Sequence, residues 1–276
     1  MDDSHGLSHV IVDTGDDDEP VVVATAIPPS TSAFTPSEGF DNYNIALHHP
    51  PALRDIPASV ITEVHGASRF LPAVQAFLAQ HGSRITAHPF DGFDLFKRIS
   101  IMLPDIPQAN ANDRKNIVRA TPPVPARGRA RAEPAHLDFA LVRTGEHNVR
   151  TDGTALDGLR VAHVRVIFKL PSVYRIRTMH PLVYVEWYTP FSKPDPVSGL
   201  FTLKPSTRNR HIYGEIIEVD RIVRNIHMMP KYGRTKDVTW SRENIVEHCK
   251  AFYPSPYSDT HMFCLLRVGM KSAVPR

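Results

Sequence analysis

Residues 160–168 read R-V-A-H-V-R-V-I-F and residues 183–191 read V-Y-V-E-W-Y-T-P-F, and these two stretches decide the fold. β-Branched and aromatic residues dominate both, and apolar residues alternate with polar ones. A period of two is typical of a β-strand with one buried face. The pattern predicts strands over 161–170 and 182–188. In the first strand, the predicted buried face consists of Ala162, Val164, Val166, Phe168 and Leu170.

Shorter apolar runs predict three further strands, at 137–142, 200–203 and 215–219. Proline and glycine punctuate the gaps, and no stretch of helical spacing interrupts the region 137–233. Short strands that close into a barrel leave no exposed edges. The sequence therefore predicts an α+β protein whose main unit, 136–270, is a small, mostly antiparallel β-barrel, closed or nearly closed, with a few flanking helices.

Residues 58–109 are predicted to form a small element of helix and strand that packs against this main unit. An apolar stripe at helical spacing supports a helix there, while short apolar runs leave strand and helix as competing interpretations for 93–103. Strand is favoured, because β-branched residues are frequent and Pro104 follows. In chain order, the elements predicted outside the alternating strands are helices over 58–66 and 68–82, a strand over 93–103, a helix capped by Ser241 and a closing strand over 261–268.

The charge of the chain is unevenly distributed. The net charge is only +3, but residues 1–59 carry ten acidic residues and one basic residue, so the remainder carries 31 basic and 19 acidic residues. A basic body is compatible with nucleic-acid binding, and equally with solubility alone. Composition predicts that 1–57 is a disordered acidic tail, in which 21–27 is compatible with an edge strand.

The segment 110–135 is predicted to be a basic, proline-rich linker. Within it, P-A-R-G-R-A-R at 125–131 resembles the Arg-Gly-Arg core of AT-hooks, whose arginines enter the minor groove of DNA from an extended backbone. The proline that usually follows this core is Ala130 here. The alternative is a solvated basic connector. The residues to which the resemblance gives a DNA-binding role are Arg127, Arg129 and Arg131.

Four aromatic residues are candidates for a ligand site, because they cluster where a strand leaves the predicted barrel: Tyr174, Trp187, Tyr188 and Phe191. A cage for methylated lysine needs about two to four rings and a nearby acid, since ring quadrupoles hold a quaternary ammonium. The alternative is that the rings fill the core, where burying a tryptophan is worth roughly 2–3 kcal/mol. The core position is favoured for Trp187.

Five carboxylates lie on or beside predicted strands, where nucleases and transposases hold divalent ions: Asp138, Glu186, Glu215, Glu218 and Asp220. Glu186 and Glu218 occupy alternating positions that are expected to face solvent. The chain has no C-x-x-C spacing, no phosphate-binding glycine loop and no G-x-S-x-G motif. We therefore predict no catalytic residue, no metal site and no cofactor, and hence a protein that is not an enzyme.

The two cysteines, Cys249 and Cys264, are too few for a disulfide framework or a four-cysteine zinc site, and both are expected to be buried free thiols. No apolar run approaches the roughly 18–20 residues of a membrane span. The acidic N terminus also lacks the basic segment of a secretory signal. These features predict an intracellular protein without a membrane partner.

Two family resemblances bear on function. Four segments, in this order, are similar to the strands of bromo-adjacent homology (BAH) modules of chromatin proteins: D-F-A-L-V (138–142), R-V-A-H-V-R-V-I-F (160–168), V-Y-V-E-W-Y-T-P-F (183–191) and I-I-E-V-D-R-I-V (216–223). This resemblance implies a BAH-like or SH3-like barrel, and no ligand-binding residue is carried over with it.

Most of the region 58–267 resembles the C-terminal part of CACTA-like (Plavaka-type) fungal transposon proteins. The segments that carry this resemblance are H-G-A-S-R-F-L-P-A (65–73), F-K-R-I-S-I-M-L-P-D-I-P (96–107), V-R-A-T-P-P-V-P-A-R-G-R (118–129), Y-V-E-W-Y-T-P-F (184–191) and the stretch 219–233, which ends in M-P-K-Y-G. It implies a transposase-like protein without its catalytic domain. The expected function is a nuclear module that binds DNA or a chromatin protein. The alternative is a protein–protein interaction module of a larger transposon-encoded assembly.

Overall fold

The computed structural model describes residues 8–13, 21–25, 44–48, 51–103, 115–126, 128, 131–178, 180–233, 238–241 and 244–268, the first three ranges by their backbone alone. Its strands are β1 (Ser8–Asp13), β2 (Val21–Thr25), β3 (Asn44–His48), β4 (Leu53–Pro57), β5 (Gly92–Phe96), β6 (Arg98–Met102), β7 (Lys115–Thr121), β8 (His136–Leu137), β9 (Phe139–Arg143), β10 (Leu159–Lys169), β11 (Leu182–Trp187), β12 (Thr207–Arg208), β13 (His211–Ile212), β14 (Gly214–Glu218), β15 (Ile222–Ile226), β16 (Met228–Pro230) and β17 (Phe252–Pro254). Its helices are α1 (Ala58–Val64), α2 (Phe70–Gln80), α3 (Ile245–His248) and α4 (Thr260–Phe263).

Strand β10 is the centre of the larger sheet. It pairs with β11 along one edge, and β11 pairs with β14. Along its other edge, β10 pairs with β9 through its first half and with β5 through its last residues; β9 continues to β15 and β5 to β4. All of these pairings are antiparallel. The predicted α+β class with mostly antiparallel strands is confirmed.

Two chain segments belong to both sheets. The second sheet has the strand order β2-β1-β3-β6-β7-β8. The chain leaves the larger sheet at Lys97, between β5 and β6, and returns to it at Asp138, between β8 and β9. The predicted strand 93–103 is therefore two strands joined by a bend. No closed barrel is seen among the described residues, and the BAH-like barrel stays a prediction.

Three hydrophobic cores hold these layers together. The first core lies between the two sheets and joins Val118 of β7 to Val164 of β10. The second core lies between the larger sheet and the helices α1 and α2, and contains Phe70 and Phe168. The third core lies between the larger sheet and the C-terminal segment, and includes Leu265. The β10–β11 pair contributes to all three, which explains why its residues are almost all buried.

A β-bulge at Arg165 divides β10 into two halves. The pairing of β10 with β11 shifts between Val164 and Val166, so one extra residue stands in β10. Such a shift moves the following side chains to the opposite face. Val164 and Ile167 lie in the first core, whereas Val166 and Phe168 lie in the second. The predicted common face of Ala162, Val164, Val166, Phe168 and Leu170 is therefore wrong.

Helix α2 confirms the prediction for 68–82. Its apolar stripe packs into the second core, where the ring of Phe70 meets the rings of Phe93, Phe168 and Tyr184 edge-on, with centroids 5.2, 5.2 and 5.8 Å away. Edge-to-face contacts of this kind add about 0.5–1.5 kcal/mol per pair beyond burial. After the helix, Gly82 takes a φ of +71°, a left-handed value that favours glycine.

The predicted closing strand at 261–268 is wrong, because this segment is α4 followed by a π-helical turn, Cys264–Val268. The Asp259 carboxylate accepts a hydrogen bond from the backbone N–H of Met262 at 2.8 Å and so caps α4. The helical spacing of the buried residues Met262, Leu265 and Leu266 places them in the third core. An N-cap aspartate before an apolar run was the missed signal.

Three smaller differences concern predicted loops and strands. The segment Lys115–Thr121, assigned to the linker, is strand β7, in which Asn116, Val118 and Ala120 are buried. The predicted strand 200–203 is reduced to one bridge, between Leu203 and Phe252. The helix expected after Ser241 is the short α3. Strand β7 was missed because prolines precede and follow its alternating residues, which led to its assignment as part of the linker.

The N-terminal strands extend the second sheet. Strand β3 pairs antiparallel with β6 and parallel with β1, and β1 pairs with β2. Strand β2 is thus outermost, the position that the sequence allows for 21–27. The other residues of the predicted tail, up to residue 50, lie outside the described ones. In the described part of the chain, no helix has the length and apolar character needed to cross a membrane.

Candidate functional site

The four predicted aromatic site residues do not meet in one pocket. Trp187 lies in the first core, Tyr174 in the second, and Tyr188 and Phe191 in the third. All four are at most 4% exposed. The core position favoured for Trp187 is therefore the observed one, and the same position holds for the other three rings. These residues do not form an aromatic cage in this structure.

Polar contacts of the aromatic residues are also internal. The indole Nε1–H of Trp187 donates to Glu215 Oε2 at 2.7 Å, and the Tyr174 hydroxyl donates to Asp91 Oδ2 at 2.6 Å. The guanidinium carbon of Arg160 lies 5.1 Å from the Trp187 ring centroid. A protein cation thus already occupies the position that a ligand cation would take in a cation–π site.

Of the three predicted DNA-binding arginines, Arg127 and Arg129 lie outside the described residues. Arg131 is described and exposed. The loop that contains them is closed at its base, because Val124 and Glu133 exchange two backbone hydrogen bonds of 2.9 Å. This loop leaves from the end of β7 and returns at the start of β8, beside a basic cleft.

The basic cleft is an open cavity of about 450 Å³ at the bend between β5 and β6. Its lining residues come from the β5–β6 bend, from β7, from the segment that ends in β8 and from the residue before β4: Ala52, Phe96, Lys97, Arg98, Arg119, Thr121, Glu133 and His136. The bend fixes this geometry, because the carbonyl of Lys97 accepts a hydrogen bond from the backbone N–H of Ala120 at 2.8 Å. Three cationic side chains thereby reach one concave surface.

Two of the cleft cations stand face to face. Arg98 in β6 and Arg119 in β7 are directly opposite partners in the antiparallel register. Opposed residues have Cβ atoms only about 4.5–5.5 Å apart, and like charges in such pairs destabilise a sheet. Lys97 is exposed next to them. The arrangement concentrates positive charge on one concave surface.

Two acids lie near the cleft and reduce its charge without cancelling it. Glu133 is exposed on the rim. Asp138 accepts the backbone N–H of Arg119 at 2.8 Å, while the Arg119 guanidinium is 3.9 Å from the same carboxylate. Burial raises the pKa of Asp138, although both contacts with Arg119 act in the opposite direction. Three cations therefore face two acids, with His136 as a further titratable group.

The five predicted carboxylates are dispersed. Glu186, expected to face solvent, is buried at 4% exposure, and this prediction is wrong. Glu215 accepts from Trp187 and from the Tyr213 hydroxyl, 3.2 Å away. Glu218 is half-buried, and burial together with nearby Asp220 raises its pKa. The structure does not gather these acids around one point.

The buried Glu186 belongs to an ionic network centred on Arg165. Arg165 Nε donates to Glu186 Oε2, and its Nη2 donates to Glu247 Oε1, both at 2.8 Å. The carbonyl of Arg165 lies 3.0 Å from Nδ1 of His65. The pKa of Arg165 is raised, because the two glutamates outweigh the effect of burial, which disfavours its charge. The pKa of Glu186 is also raised, because burial outweighs the attraction of Arg165. The network joins helical and C-terminal layers.

One group in the described chain has the spacing of metal ligands, and it was not predicted. His147, Asp152 and Asp157 offer one nitrogen and two carboxylate oxygens within 4.8 Å of one another. Asp157 Oδ2 lies 3.1 Å from His147 Nδ1. Such a donor set suits a zinc-type ion, yet His147 and Asp152 are exposed and the ion pair alone accounts for the contact.

The two cysteines are free, as predicted. Cys249 is buried in the third core, and its thiol donates to the carbonyl of Ala251 at 2.9 Å. Cys264 is half-buried rather than buried.

Sequence reasoning missed the basic cleft, although one signal was visible. Lys97 interrupts the apolar face of the predicted strand 93–103, and Arg98 follows it. A charged pair at that place marks a bend, because a buried strand does not tolerate it. Arg119 was read as part of the linker, so its position opposite Arg98 could not be foreseen.

No protein-family model matches the chain, and neither a curated protein nor a solved structure matches it significantly. The resemblances to BAH modules and to transposon-encoded proteins therefore stay predictions.

Proposed function

We propose that the chain is a non-enzymatic, DNA- or chromatin-associated module derived from a transposase-like protein, with the catalytic domain absent. In this proposal, the basic cleft binds phosphates of duplex DNA. Phosphate contacts supply most of the non-specific affinity of DNA-binding proteins, and they require cations on one surface rather than a deep pocket. The open shape and charge of the cleft suit that task.

The observation that carries the proposal is the opposition of Arg98 and Arg119. Both residues line the cleft and stand side by side across the β6–β7 pair. A phosphate beside two guanidinium groups accepts charge-assisted hydrogen bonds from both. Lys97, at the bend, adds a third charge on the same surface.

The loop that carries Arg131 supports the same interpretation. Glu133 ends the loop and also lines the cleft. The Arg-Gly-Arg segment lies only a few residues along the chain from Glu133. We propose that the loop arginines enter the minor groove while the cleft binds the neighbouring backbone.

The proposal also includes a type of fold and a cellular location. We propose a BAH-like module with a nuclear location. Support comes from the order of the resembling segments and from the strands that bend at Lys97 and Asp138, since bending strands form the corners of small orthogonal β-structures.

Fluorescence anisotropy with a labelled A·T-rich duplex tests the proposal. We expect binding at low salt that weakens steeply as salt rises, and a further loss when Lys97→Ala and Arg119→Ala are combined. Arg84→Ala is the matched control, because Arg84 is exposed but does not line the cleft. The absence of binding at about 50 mM salt would remove the proposed role.

The alternative, a protein–protein interaction module, would need an exposed apolar surface of several hundred Å². The outward residues of α2 are Pro72, Ala76, Ala79 and Gln80, which offer small side chains. Thirteen large apolar residues of the described chain are exposed, among them Val60 and Val64 on α1 and the neighbouring rings of Tyr257 and Phe263. The observation that favours DNA as the partner is the cationic lining of the cleft.

A further inference from the structure

A second cavity, of about 520 Å³, lies on the C-terminal part of the chain. Its lining combines an aromatic pair with three potential cations: Lys231, Tyr232, Gly233, Thr239, Trp240, His248, Lys250 and Ala251. No acidic side chain occurs among these described lining residues. The combination of rings and positive charge, without acids, limits the kind of ligand that the cavity suits.

The aromatic pair is an exposed platform. The ring centroids of Tyr232 and Trp240 are 5.9 Å apart, and the rings are tilted by 38°. Trp240 is partly buried against the third core and is thereby anchored, whereas Tyr232 is 51% exposed. A half-exposed tyrosine on an anchored tryptophan leaves ring surface available for stacking.

Basic residues line the cavity beside this platform, and Lys231 among them is held in place. Lys231 donates its backbone N–H to the carbonyl of Ala251 at 2.8 Å, and its Nζ lies 5.1 Å from the ring centroid of Tyr253. Lys250 and His248 are exposed on the facing segment. Their charges come from both sides of the cavity, so a phosphate at its mouth would meet at least two of them.

We propose that this cavity binds single-stranded nucleic acid, with one base stacked on Tyr232 and the adjoining phosphates at Lys231 and Lys250. Proteins bind single strands by combining basic grooves with aromatic platforms, because every base has a face that can stack. A methylated lysine would be repelled by Lys231 and Lys250. Duplex DNA keeps its bases stacked inside and could not use Tyr232.

The proposed site goes beyond the duplex-binding cleft and does not depend on it. The two sites have no lining residue in common. Substitutions in one site should therefore leave binding at the other unchanged, and the failure of either proposal can be recognised separately.

Anisotropy titrations with labelled oligothymidylate and oligouridylate of about 12 nucleotides test the site at low salt. We expect Tyr232→Ala to weaken single-strand binding about tenfold, the size of one lost stacking contact. Phe90→Ala is the control, because Phe90 is a comparably exposed ring outside the cavity. An abasic oligomer of equal charge should bind the wild-type protein about tenfold more weakly.

Intrinsic fluorescence provides a second readout at the site itself. The chain has two tryptophans, and Trp187 is buried in the first core. Quenching upon oligomer addition should therefore come from Trp240 and disappear in Trp240→Phe. Binding of either oligomer with this quenching would support the proposal.

Three outcomes would overturn it: no binding of either oligomer at about 50 mM salt, equal affinity of Tyr232→Ala and the wild-type protein, or equal affinity for the abasic oligomer.

Discussion

Arg165 Nε lies 2.8 Å from Glu186 Oε2, and both side chains are only 6% exposed. The pair sits where the bulge in β10 separates the second core from the third. A bulge re-aims the side chain of the extra residue, and here it directs a guanidinium to the carboxylate of the neighbouring strand. The ion pair therefore links the layer of α1 and α2 to the C-terminal layer.

Glu186→Gln should reduce the free energy of unfolding by about 3 kcal/mol, because it leaves the buried charge of Arg165 without its buried counter-ion. Urea denaturation measures the loss. Glu247→Gln removes the other partner of Arg165, but the Glu247 side chain is 54% exposed, and we expect a loss of less than about 1 kcal/mol. Equal losses for the two variants would contradict this view of the network. The double variant Arg165→Met/Glu186→Leu should regain most of the lost stability.

Asn116→Ala should lower the free energy of unfolding by about 1–3 kcal/mol, because it removes a buried polar link between β7 and β15. Asn116 Oδ1 accepts the backbone N–H of Asn225, and its Nδ2 donates to Asn225 Oδ1, both at 2.7 Å. Thermal or urea unfolding checks the value. Arg119→Ala, in the exposed register of the same strand, should cost less than about 0.5 kcal/mol. If neither substitution changed the free energy of unfolding, the packing of β7 against β15 would not contribute to the stability of the fold.

Asp259→Ala should destabilise the fold by about 3 kcal/mol, since it removes the N-cap of α4 and the counter-ion of a buried arginine. Arg224 is 1% exposed, and its Nη1 donates to Asp259 Oδ1 at 3.0 Å. Asp152→Ala is the control, an exposed loop carboxylate whose loss should be nearly neutral. If the two variants had the same urea midpoint, the proposed role of Asp259 would be disproved.

The stability of the protein should fall as the pH is lowered from about 6.5 to about 4. Burial and the adjacent Arg224 lower the pKa of His261 from 6.5 to about 4, so His261 is neutral in the folded protein. Between these values the unfolded chain binds more protons, and stability therefore rises with pH. Burial also lowers the pKa of His65 and of His163, which act in the same direction.

Glu186 has the opposite effect on the pH dependence of stability, because its pKa is raised in the folded protein. The contribution of His261 is therefore measured by comparing the wild-type protein with a variant that lacks this histidine. Urea titrations of wild type and His261→Gln at several pH values should give a smaller pH slope for the variant. Identical slopes would show that His261 does not carry the effect.

Arg119→Ala should lower the salt dependence of duplex DNA binding. Each neutralised phosphate contributes about 0.9 to the slope of log affinity against log salt, so removing one contact should reduce the slope by about 1. Anisotropy titrations between low and moderate salt measure it. Arg84→Ala should keep the wild-type slope, and an unchanged slope in Arg119→Ala would place the phosphate contact elsewhere.

Local patterns in the sequence determined the strands β10, β11 and β14 and the helix α2. Their period of two or 3.6 is imposed by backbone geometry, and alternation of apolar residues reports it directly. The same reasoning placed Trp187 in the core. It failed for Glu186, because alternation places a residue on one face of the sheet, and in this protein both faces of β11 are covered.

The tertiary structure alone decided where the charges meet. The bulge at Arg165 adds one residue to a strand without any sequence mark, and it reverses the faces of everything after it. The opposition of Arg98 and Arg119 depends on the register between segments separated by a linker, and the meeting of Tyr232 with Trp240 depends on how two loops pack. Sequence periodicity describes neighbours along one element, whereas these sites arise from pairing between distant elements, which only the folded chain brings together.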